Sequence, residues 1–293
     1  MSFIQQVSLS ALRIGNHEFV WGSRTYIMGV VNVTPDSFSG DGVLSAARGA
    51  GGVGEAVEQA LRMEEEGADI IDVGGESSRP PGVYQGAISI STDEEIDRVV
   101  PVIEALSGRV STPISIDTRK AAVAAAAIEV GAVLANDVSM LGDPEMASVI
   151  SGAGVGVVVS HIRPGGHRGD VVADVLDDLG SAVELLTGAG VDRTSIVADP
   201  GIGFAKTAAQ SVELMRNISR LRTDLALPLL VGSSRKSFIG SVTGEPLESR
   251  EFGTAATVAL AIQRGVDIVR VHDVKNMASV VRMSDAIVRG RDD

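Results

Sequence analysis

Short apolar segments recur along the chain, and polar residues follow each of them at once. The five clearest cases are mostly apolar runs at 26–31, 69–73, 114–116, 229–232 and 268–269. Runs of this length and character are typical of buried β-strands. If the strands are parallel and close into a barrel, the polar residues that follow them meet on one rim, and that rim is where such barrels carry out their chemistry.

Helical patterns alternate with these apolar runs. A glycine stands at four places between a helical pattern and the next run, as a helix C-terminal cap does. A capping box, Thr92 with Glu95 three residues on, is predicted at the start of a further helix. The four glycines are Gly67, Gly131, Gly154 and Gly265, and the clearest helical patterns cover 55–66, 121–130 and 253–264.

Strands and helices that alternate along a chain imply a parallel sheet. Eight βα units favour an α/β fold of the TIM (β/α)8 barrel type. A doubly wound open sheet is the structural alternative. The eight predicted strands lie near 26–32, 69–74, 113–117, 132–136, 154–160, 195–199, 228–232 and 267–272.

The first 22 residues precede the first barrel strand. Leu12 to Trp21, with Gly15-Asn16 at its middle, has the pattern of a β-hairpin, and we expect it to cover the bottom of the barrel. The sequence contains no composition shift or linker that would separate a second domain. Residues 1–293 are therefore predicted to form a single domain, made of an N-terminal hairpin extension (1–22) and a barrel (23–293).

Composition narrows the class of function. The 293 residues, 44% of them hydrophobic, suffice for one barrel of about 250 residues with additions. The chain has no cysteine, which excludes disulfides, thiolate metal sites and a thiol nucleophile. The net charge of -13 argues against nucleic acid as a partner, but not against a small anion held by local cations. No membrane-spanning run or signal peptide is visible, so we expect a cytoplasmic protein without a membrane partner.

Three strand ends carry a carboxyl or amide group, namely Asp117, Asn136 and Asp199. Because unpaired carboxylates are costly to bury, these groups favour a ligand rich in N–H donors, such as an amino-pyrimidinone ring. The alternative is that each caps the helix that follows. At Asp199 the nearby Gly201 and Gly203 favour ligand binding, because glycine lets the backbone approach a ligand closely.

Lys236 and Asn32 follow two further strands. Lys236 precedes a predicted helix that opens at Ser237, and a helix N-terminus attracts anions. The alternative for Lys236 is a solvated surface lysine. Asn32 offers an amide oxygen that suits a magnesium ion beside a phosphate, with an Asx turn as the alternative.

Arg270 and His272 alternate along the last strand, so both side chains point into the mouth of the barrel. An unpaired cation there is strongly disfavoured, which implies an anionic ligand such as phosphate. The alternative is an internal ion pair with Asp273 or Glu76.

Histidines and aspartates between the fifth and sixth predicted strands are interpreted as structural. His161 and His167 lack the spacing of a metal-binding pair. We predict that 163–168 is a solvated surface loop, and that Asp177 and Asp178 lie on an exposed helix face.

Taken together, the polar motifs resemble those of the dihydropteroate synthase family of pterin-binding barrels. The resemblance runs from about Tyr26 to the last helix, and the ordered set is far more specific than any single motif. The motifs are NVTPDSF at 32–38, GGESSRP at 74–80, SIDT at 115–118, ND at 136–137, DPGIGF at 199–204, SRKS at 234–237 and RVHD at 270–273.

The resemblance implies a reaction and a set of residues. The family condenses dihydropterin hydroxymethyl pyrophosphate with p-aminobenzoate, which gives dihydropteroate and pyrophosphate. Catalytic roles would fall to Asp117, Lys236 and Asp36, and Asn32 would bind magnesium. The resemblance implies Asp117, Asn136, Asp199 and Lys236 for the pterin, Asn32, Ser78, Arg270 and His272 for the diphosphate, and Asp36, Phe38, Arg79, Pro80 and Ser237 for p-aminobenzoate. Phe204 is a further implied substrate-binding residue.

The family commonly forms homodimers and is a target of sulfonamides, so the resemblance implies both for this chain. The Ala-rich helix at 253–263 supports a dimer, because Val258, Leu260 and Ile262 place apolar surface on more than one face.

One departure from the family leaves other functions open. Ser160 stands where the family usually has Met, next to His161. A non-catalytic pterin-binding paralogue and a pterin-dependent methyltransferase of the same barrel family are the alternatives. The methyltransferase needs no diphosphate site, so Lys236, Arg270 and His272 favour the synthase.

Overall fold

The eight predicted strands form one parallel sheet, and each observed strand ends within two residues of its prediction. The computed structural model describes residues 9–14, 17–33, 50–76, 89–167 and 169–290. The strands of the sheet are β3 (Tyr26–Asn32), β4 (Ile70–Gly74), β5 (Ile114–Asp117), β6 (Leu134–Asp137), β7 (Gly156–Ser160), β8 (Ile196–Asp199), β9 (Leu230–Val231) and β10 (Ile268–Val271).

The sheet closes into a barrel. Its strand order is β8-β7-β6-β5-β4-β3-β10-β9, and every neighbouring pair is parallel. A parallel bridge between Ala198 and Leu229 joins the two ends, and the Ala198 amide donates to the Pro228 carbonyl at 3.0 Å. The fold is therefore the predicted TIM barrel with helices around it, and the open doubly wound sheet is excluded.

Helices follow the strands and cover the outside of the barrel. No helix in the described ranges is long and apolar enough to cross a membrane. The helices are α1 (Ala50–Glu65), α2 (Thr92–Leu106), α3 (Ala121–Glu129), α4 (Met146–Ala153), α5 (Val171–Gly188), α6 (Ala208–Arg216), α7 (Ile218–Leu225), α8 (Ser237–Thr243), α9 (Glu251–Gln263) and α10 (Val274–Val288).

The capping box predicted at Thr92 and Glu95 is wrong by one residue. Ser91 is the N-cap of α2, and its hydroxyl accepts from the Glu94 amide at 3.1 Å. Glu95 is fully buried and accepts a hydrogen bond from Thr118 instead. Ser and Thr are both favoured N-cap residues, so residue type alone gives only a weak preference between adjacent candidates.

The N-terminal hairpin closes the bottom of the barrel, as predicted. β1 (Leu12–Ile14) and β2 (His17–Phe19) pair in antiparallel register. Leu12, Ile14, Phe19 and Trp21 form one apolar cluster with the inward side chains at the start of the barrel strands. This cluster covers the amino-terminal end of the barrel interior.

The two-residue period of the strands places polar and apolar side chains on the same inward face. On β10, Ile268 joins the apolar cluster at the bottom, and Arg270 and His272 follow above it on the same face. On β4 the inward residue after Ile70 is Asp72, which is fully buried. The alternation therefore delivers polar groups to the rim without disturbing the outward core under the helices.

Candidate active site

Polar side chains from six strands meet inside the carboxyl-terminal end of the barrel. Strand register sets them side by side, because Asp117 is the Cα partner of Asn136 and Ser160 is the Cα partner of Asp199. The five residues other than Arg270 are almost completely buried, and the Arg270 side chain is 14% exposed at the open end of the interior. The residues are Asp72, Asp117, Asn136, Ser160, Asp199 and Arg270.

Arg270 links two carboxylates across the barrel. Its Nε donates to Asp72 Oδ2 at 2.6 Å and its Nη2 to Asp117 Oδ2 at 2.6 Å. The inference that Arg270 lacks a protein partner is therefore wrong. The internal ion pair that stood as the alternative exists, but with Asp72 and Asp117 rather than with Asp273 or Glu76.

The two partners suggested by sequence are engaged elsewhere. Asp273 is the N-cap of α10 and accepts from the Asn276 amide at 3.0 Å. Glu76 pairs with Arg119 at 2.7 Å and with Lys120 at 3.1 Å. Arg270 is left to the two carboxylates on β4 and β5, which its long side chain reaches across the mouth of the barrel.

Burial and charge act in opposite directions on Asp117. Burial raises the pKa of Asp117 to about 7, and the neighbouring Arg270 guanidinium opposes that rise. Asp72 and Glu95 raise it further because they are like charges. Asp117 is therefore a carboxylate whose ionisation depends on Arg270.

Asp72 and Asn136 lie at the bottom of the site and include hydrogen-bond acceptors that have no partner in the described residues. The Asn136 amide donates from Nδ2 to Asp72 Oδ2 at 3.0 Å. Asp72 Oδ1, Asn136 Oδ1 and the Ser115 hydroxyl are buried without a hydrogen-bond partner among the residues that the structure describes. Buried polar atoms in native proteins are normally paired, so such acceptors point to a ligand with N–H donors or to ordered water.

Sequence reasoning missed Asp72. It lies inside an apolar run, at the position that faces the same way as Asp117 on the neighbouring strand. A charged residue in the middle of a buried strand was the available signal, because such a residue needs a partner inside the barrel.

Asp199 uses both of its oxygens within the protein. Oδ1 accepts from the Gly201 amide at 2.8 Å and Oδ2 accepts from the Ser160 hydroxyl at 3.0 Å. The cap alternative is wrong for Asp199, because Thr207 is the N-cap of α6 and the Asp199 carboxylate closes a turn onto Gly201 instead. Each carboxylate oxygen has a second lone pair, so both remain able to accept from a ligand.

Lys236 lies against the segment that follows Asp199. Its Nζ is 4.0 Å from the centre of the Phe204 ring and donates to the Ile202 carbonyl. A Cβ on Gly203, whose φ is +81°, would lie 3.0 Å from Lys236 Cδ, which explains the glycine. Burial lowers the pKa of Lys236 to about 8, and the Asp199 carboxylate opposes that shift. The solvated surface lysine is excluded.

Lys236 and Arg270 lie beside each other. A Cβ built on Gly232 would be 4.0 Å from both Lys236 Nζ and Arg270 Cδ. Because Arg270 contacts Asp117 directly, this places Lys236 and Asp117 in the same cleft.

His272 continues the cationic side of the rim. Its Nδ1 is 3.0 Å from the Ser234 hydroxyl. Burial, together with Arg270, Arg235 and Lys236, lowers the pKa of His272 to about 4, so the imidazole is neutral at neutral pH. Sequence reasoning did not single out Arg235, which is exposed beside this group.

The remaining predicted residues divide into two groups. Asn32 is half-buried at the end of β3, beside Gly74 of β4, and Ser237 is the exposed first residue of α8. The others lie outside the described residues, and they are Asp36, Phe38, Ser78, Arg79 and Pro80.

The loop after β7 is only partly the solvated surface loop that the sequence predicted, since Pro164 and Gly165 are exposed but the His167 side chain is not. The His167 side chain is fully buried and Arg163 pairs with Asp174 at 2.7 Å and with Asp178 at 2.9 Å. Asp178 also contacts His161 at 2.9 Å, so the exposed-face prediction is wrong for Asp178 and correct for Asp177. Ion pairs between this loop and α5 bury groups whose residue types suggest a surface.

Comparison with known proteins agrees with this geometry. The model of the pterin-binding enzyme family matches residues 28–272. The dihydropteroate synthase of Bacillus subtilis (strain 168) is 45% identical over 266 residues, which cover 90% of this chain and 89% of that protein. The solved Xanthomonas albilineans dihydropteroate synthase with 7,8-dihydropteroate has a TM-score of 0.83 at 37% identity, covering 95% of this chain and 98% of that one. The same enzyme with 4-aminobenzoic acid has a TM-score of 0.86 at 39% identity, covering 94% and 97%.

Proposed function

The chain belongs to the pterin-binding enzyme family, and on this premise we propose how its rim carries out the reaction of a dihydropteroate synthase. The enzyme is a transferase acting on 6-hydroxymethyl-7,8-dihydropterin pyrophosphate and p-aminobenzoate. The C–O bond between the pterin methylene and the diphosphate breaks, a C–N bond to the amine forms, and the amine gives up one proton. The products are 7,8-dihydropteroate, the intermediate of folate biosynthesis, and pyrophosphate.

One observation carries the assignment. Acceptors suited to ring N–H groups and cations suited to a leaving diphosphate converge on one barrel rim. Asn136 Oδ1 and the free lone pairs of Asp199 suit the N–H edge of an amino-pyrimidinone ring. Lys236, above the Phe204 ring, suits a carbonyl or ring nitrogen of the same ligand.

Arg270 and His272 are assigned to the diphosphate, together with Ser78. The neutral His272 imidazole has its Nδ1 directed to Ser234, so its Nε2 is free to donate when Nδ1 accepts. Arg270 is already shared between two carboxylates. Its positive charge therefore serves two purposes, because it keeps Asp117 ionised and faces the leaving group.

Asp117 is proposed to stabilise the transition state. Diphosphate departure leaves positive charge on the pterin methylene before the amine attacks. A fixed carboxylate in a water-poor site stabilises such charge strongly, because it needs no reorganisation when the charge develops. Asp117 is 4% exposed and held by Arg270, which is the preorganisation that this role requires. With Asp117 we assign Lys236 and Asp36 to the catalytic set.

Magnesium is proposed as the cofactor. Proteins hold this ion with one or two side-chain oxygens together with substrate phosphates. Asn32 supplies one amide oxygen, and the described residues contain no group of three or more acidic or histidine side chains able to hold a metal by themselves. The residues therefore fit an ion that arrives with the diphosphate. When bound, magnesium would neutralise part of the leaving group's charge.

Binding is proposed to be ordered, with the pterin first. Ser237, at the start of α8, is assigned to the carboxylate of p-aminobenzoate, and Phe38, Arg79 and Pro80 to its ring. A small ligand held at one point must still repay its lost freedom, so it binds weakly alone.

We expect little p-aminobenzoate binding to the free protein, and clear binding once pterin, pyrophosphate and magnesium are present. Equal affinity in calorimetry with and without pyrophosphate would refute this order. Sulfonamides are expected to compete with the amine.

A homodimer is proposed through the face formed by α6, α8 and α9. An apolar groove of about 320 Å³ runs between Met215, Phe238 and Leu260. Leu260 and Val242, which line the groove, are 49% and 66% exposed, and Phe252 near the start of α9 is 83% exposed. Val258 and Ile262, by contrast, are buried against the barrel. An exposed apolar face of this kind marks an interface. A sedimentation profile with monomer alone at micromolar concentration would exclude the dimer.

The decisive test is pyrophosphate release. The wild-type chain should release pyrophosphate only when both substrates and magnesium are present. A methyltransferase or a non-catalytic paralogue would bind the pterin and release none. The matched variant is Asp117→Asn, which keeps the size of the side chain but removes its charge and one acceptor oxygen, and it should lose far more turnover than pterin affinity. A cytoplasmic location stays a prediction from the sequence.

A further inference from the structure

Lys206 follows the Asp199–Phe204 segment and lies at the centre of a network of acceptors. Its Nζ is 2.9 Å from His161 Nδ1 and donates to the carbonyls of Gly201 at 3.0 Å and Phe204 at 3.1 Å. The His161 carbonyl is a fourth acceptor at 3.3 Å. An ammonium group has three protons, so its donor capacity is fully used.

These acceptors belong to two chain segments that contact each other closely, the end of β7 and the segment after β8. His161 follows β7, whereas Gly201 and Phe204 belong to the segment after β8. A Cβ on Gly201 would lie 1.9 Å from the His161 carbonyl oxygen, so the two backbones touch and only glycine fits. The His161 and Gly201 carbonyl oxygens on the two sides of this contact both accept from Lys206 Nζ, at 3.3 and 3.0 Å. The ammonium therefore joins the segment to the end of β7.

The segment that Lys206 holds positions two groups of the pterin site. The Gly201 amide donates to Asp199 Oδ1 at 2.8 Å, which orients that carboxylate. Ile202 and Phe204 contact Lys236 through a carbonyl and a ring. A shift of the segment would therefore displace Asp199 and Lys236 together.

The other side of the network is anchored on α5. Burial lowers the pKa of His161 to about 3, so the ring is neutral. With Nδ1 accepting from Lys206, the ring proton is on Nε2 and is donated to Asp178 Oδ2 at 2.9 Å. Asp178 is held in turn by Arg163 at 2.9 Å. Burial lowers the pKa of Lys206 to about 7, and the Asp199 carboxylate opposes that shift.

We propose that Lys206 is a positioning residue for the pterin subsite, which fixes the 199–204 segment and thereby the placement of Asp199 and Lys236. The inference rests on the proposed function, because it names the pterin as the ligand whose contacts are placed. Lys206 itself bonds to protein groups on every side, so it acts through its neighbours and not by touching the substrate.

Lys206→Met tests the proposal, because it keeps most of the length of the side chain and removes all three donors. We expect the Kd for a pterin analogue and the KM for the pterin pyrophosphate to rise on the order of 10- to 100-fold, as small misplacements of binding groups do. The KM for p-aminobenzoate at saturating pterin should change less than threefold. The matched control is Arg289→Met at the opposite end of the barrel, where Arg289 donates to the Val266 carbonyl at 3.0 Å. The control should lower thermal stability and leave the pterin Kd unchanged.

A Lys206→Met variant that is folded and binds pterin within twofold of wild type overturns the proposal. If that variant does not fold, Lys206→Gln, which keeps two donors on a shorter side chain, decides the matter with an expected intermediate loss. Wild-type affinity in the Gln variant would also overturn the proposal. Failure of the proposed function is distinguishable, because it appears as absent pyrophosphate release by the wild-type protein in the same assay.

Discussion

Buried arginine–carboxylate clusters occupy both ends of the barrel, and they are built differently. At the amino-terminal end, Arg222 donates from Nε and Nη2 to the two oxygens of Asp267 at 3.0 and 3.1 Å. The Leu229 amide adds a third hydrogen bond to Asp267. At the carboxyl-terminal end, one arginine serves two carboxylates, Asp72 and Asp117.

The difference lies in how many acceptors stay free. Both oxygens of Asp267 are bonded within the protein, and one arginine balances one carboxylate. At the rim, Asp72 Oδ1 and Asn136 Oδ1 have no partner among the described residues, and carboxylates outnumber the arginine. A cluster that satisfies itself stabilises the fold, whereas one with spare buried acceptors is prepared for a ligand that brings donors.

The largest expected effect is on the amino-terminal cluster. Arg222→Met leaves the Asp267 carboxylate buried without its charge partner, which should lower the free energy of unfolding by about 3–5 kcal/mol. The pterin Kd should stay unchanged, since the cluster lies at the opposite end. Urea denaturation and calorimetry measure the two quantities. Arg220→Met, on the exposed Arg220–Asp224 pair of the same helix, is the control and should cost less than about 1 kcal/mol. Loss of pterin binding in folded Arg222→Met would break the comparison.

A substitution at the rim should have the opposite result, with a large loss of pterin affinity and a smaller loss of stability. Asp199→Ala removes an acceptor for ligand N–H groups, so pterin binding should weaken by roughly 2–4 kcal/mol. Stability should fall less, because the lost internal bonds are those from Gly201 and Ser160. Titration calorimetry with a pterin analogue measures the affinity. Unchanged affinity would mean that Asp199 serves only to close the Gly201 turn.

The pH dependence of pterin affinity is a third test of the comparison, because Asp117 and Lys236 at the rim both titrate near neutral pH. Asp117 accepts hydrogen bonds as an anion, and its pKa is about 7, so pterin affinity should fall as the pH drops below that value. Lys236 donates all its hydrogen bonds as a cation, and its pKa is about 8, so affinity should fall as the pH rises above that value. The pH profile of Kd should therefore have its optimum between these two values, with each limb approaching about tenfold per pH unit.

Arg270 determines the pH at which pterin affinity falls on the acid side of that profile, which we call the acid limb. Arg270 lowers the pKa of Asp117, so Arg270→Met should move the acid limb to higher pH. Lys236→Met should leave only the alkaline loss of affinity that comes from Lys206, whose pKa burial lowers to about 7, and should leave the acid limb in place. An acid limb that stays fixed in Arg270→Met would show that Asp117 is not the group that titrates there.

The contrast between the two ends was only partly readable from sequence. Strand positions and the common rim follow from periodicity and from where polar residues end an apolar run, so Asp117, Asn136 and Asp199 were found. The pairing of Arg270 was not, because its partners Asp72 and Asp117 lie 198 and 153 residues away. Such pairs depend on which strands face each other across a closed barrel, and periodicity carries no information about that.

The hydrogen-bond network of the loops around Lys206 was the second feature that could not be predicted from the sequence. His161 and Asp178 have residue types that are common on surfaces, and only the folded chain reveals that they support Lys206. The signal present in the sequence was weak, namely a lysine two residues after a glycine-rich segment that follows a strand. Burial of charged groups is decided by three-dimensional contacts, so residue type alone favours the wrong answer here.

The smallest expected effect concerns Ser160, the departure from the family. Its hydroxyl donates to Asp199 Oδ2 at 3.0 Å, and it is 1% exposed. Ser160→Ala removes this donor and should weaken pterin binding by about 1 kcal/mol, or roughly fivefold, because Asp199 loses one of the two bonds that orient it.

Ser160→Thr is the matched control, because it keeps the hydroxyl and adds one methyl group, and it should bind pterin close to wild type. An increase in pterin affinity for Ser160→Ala would contradict this prediction and would be informative. The Ser160 hydroxyl and a ligand N–H both bond to the same carboxylate, so if they compete for one lone pair, Ser160→Ala would bind pterin more tightly than wild type. Calorimetry on the three proteins at one pH separates orientation from competition, and a tighter Ala variant would mean that Ser160 restrains the pterin site instead of completing it.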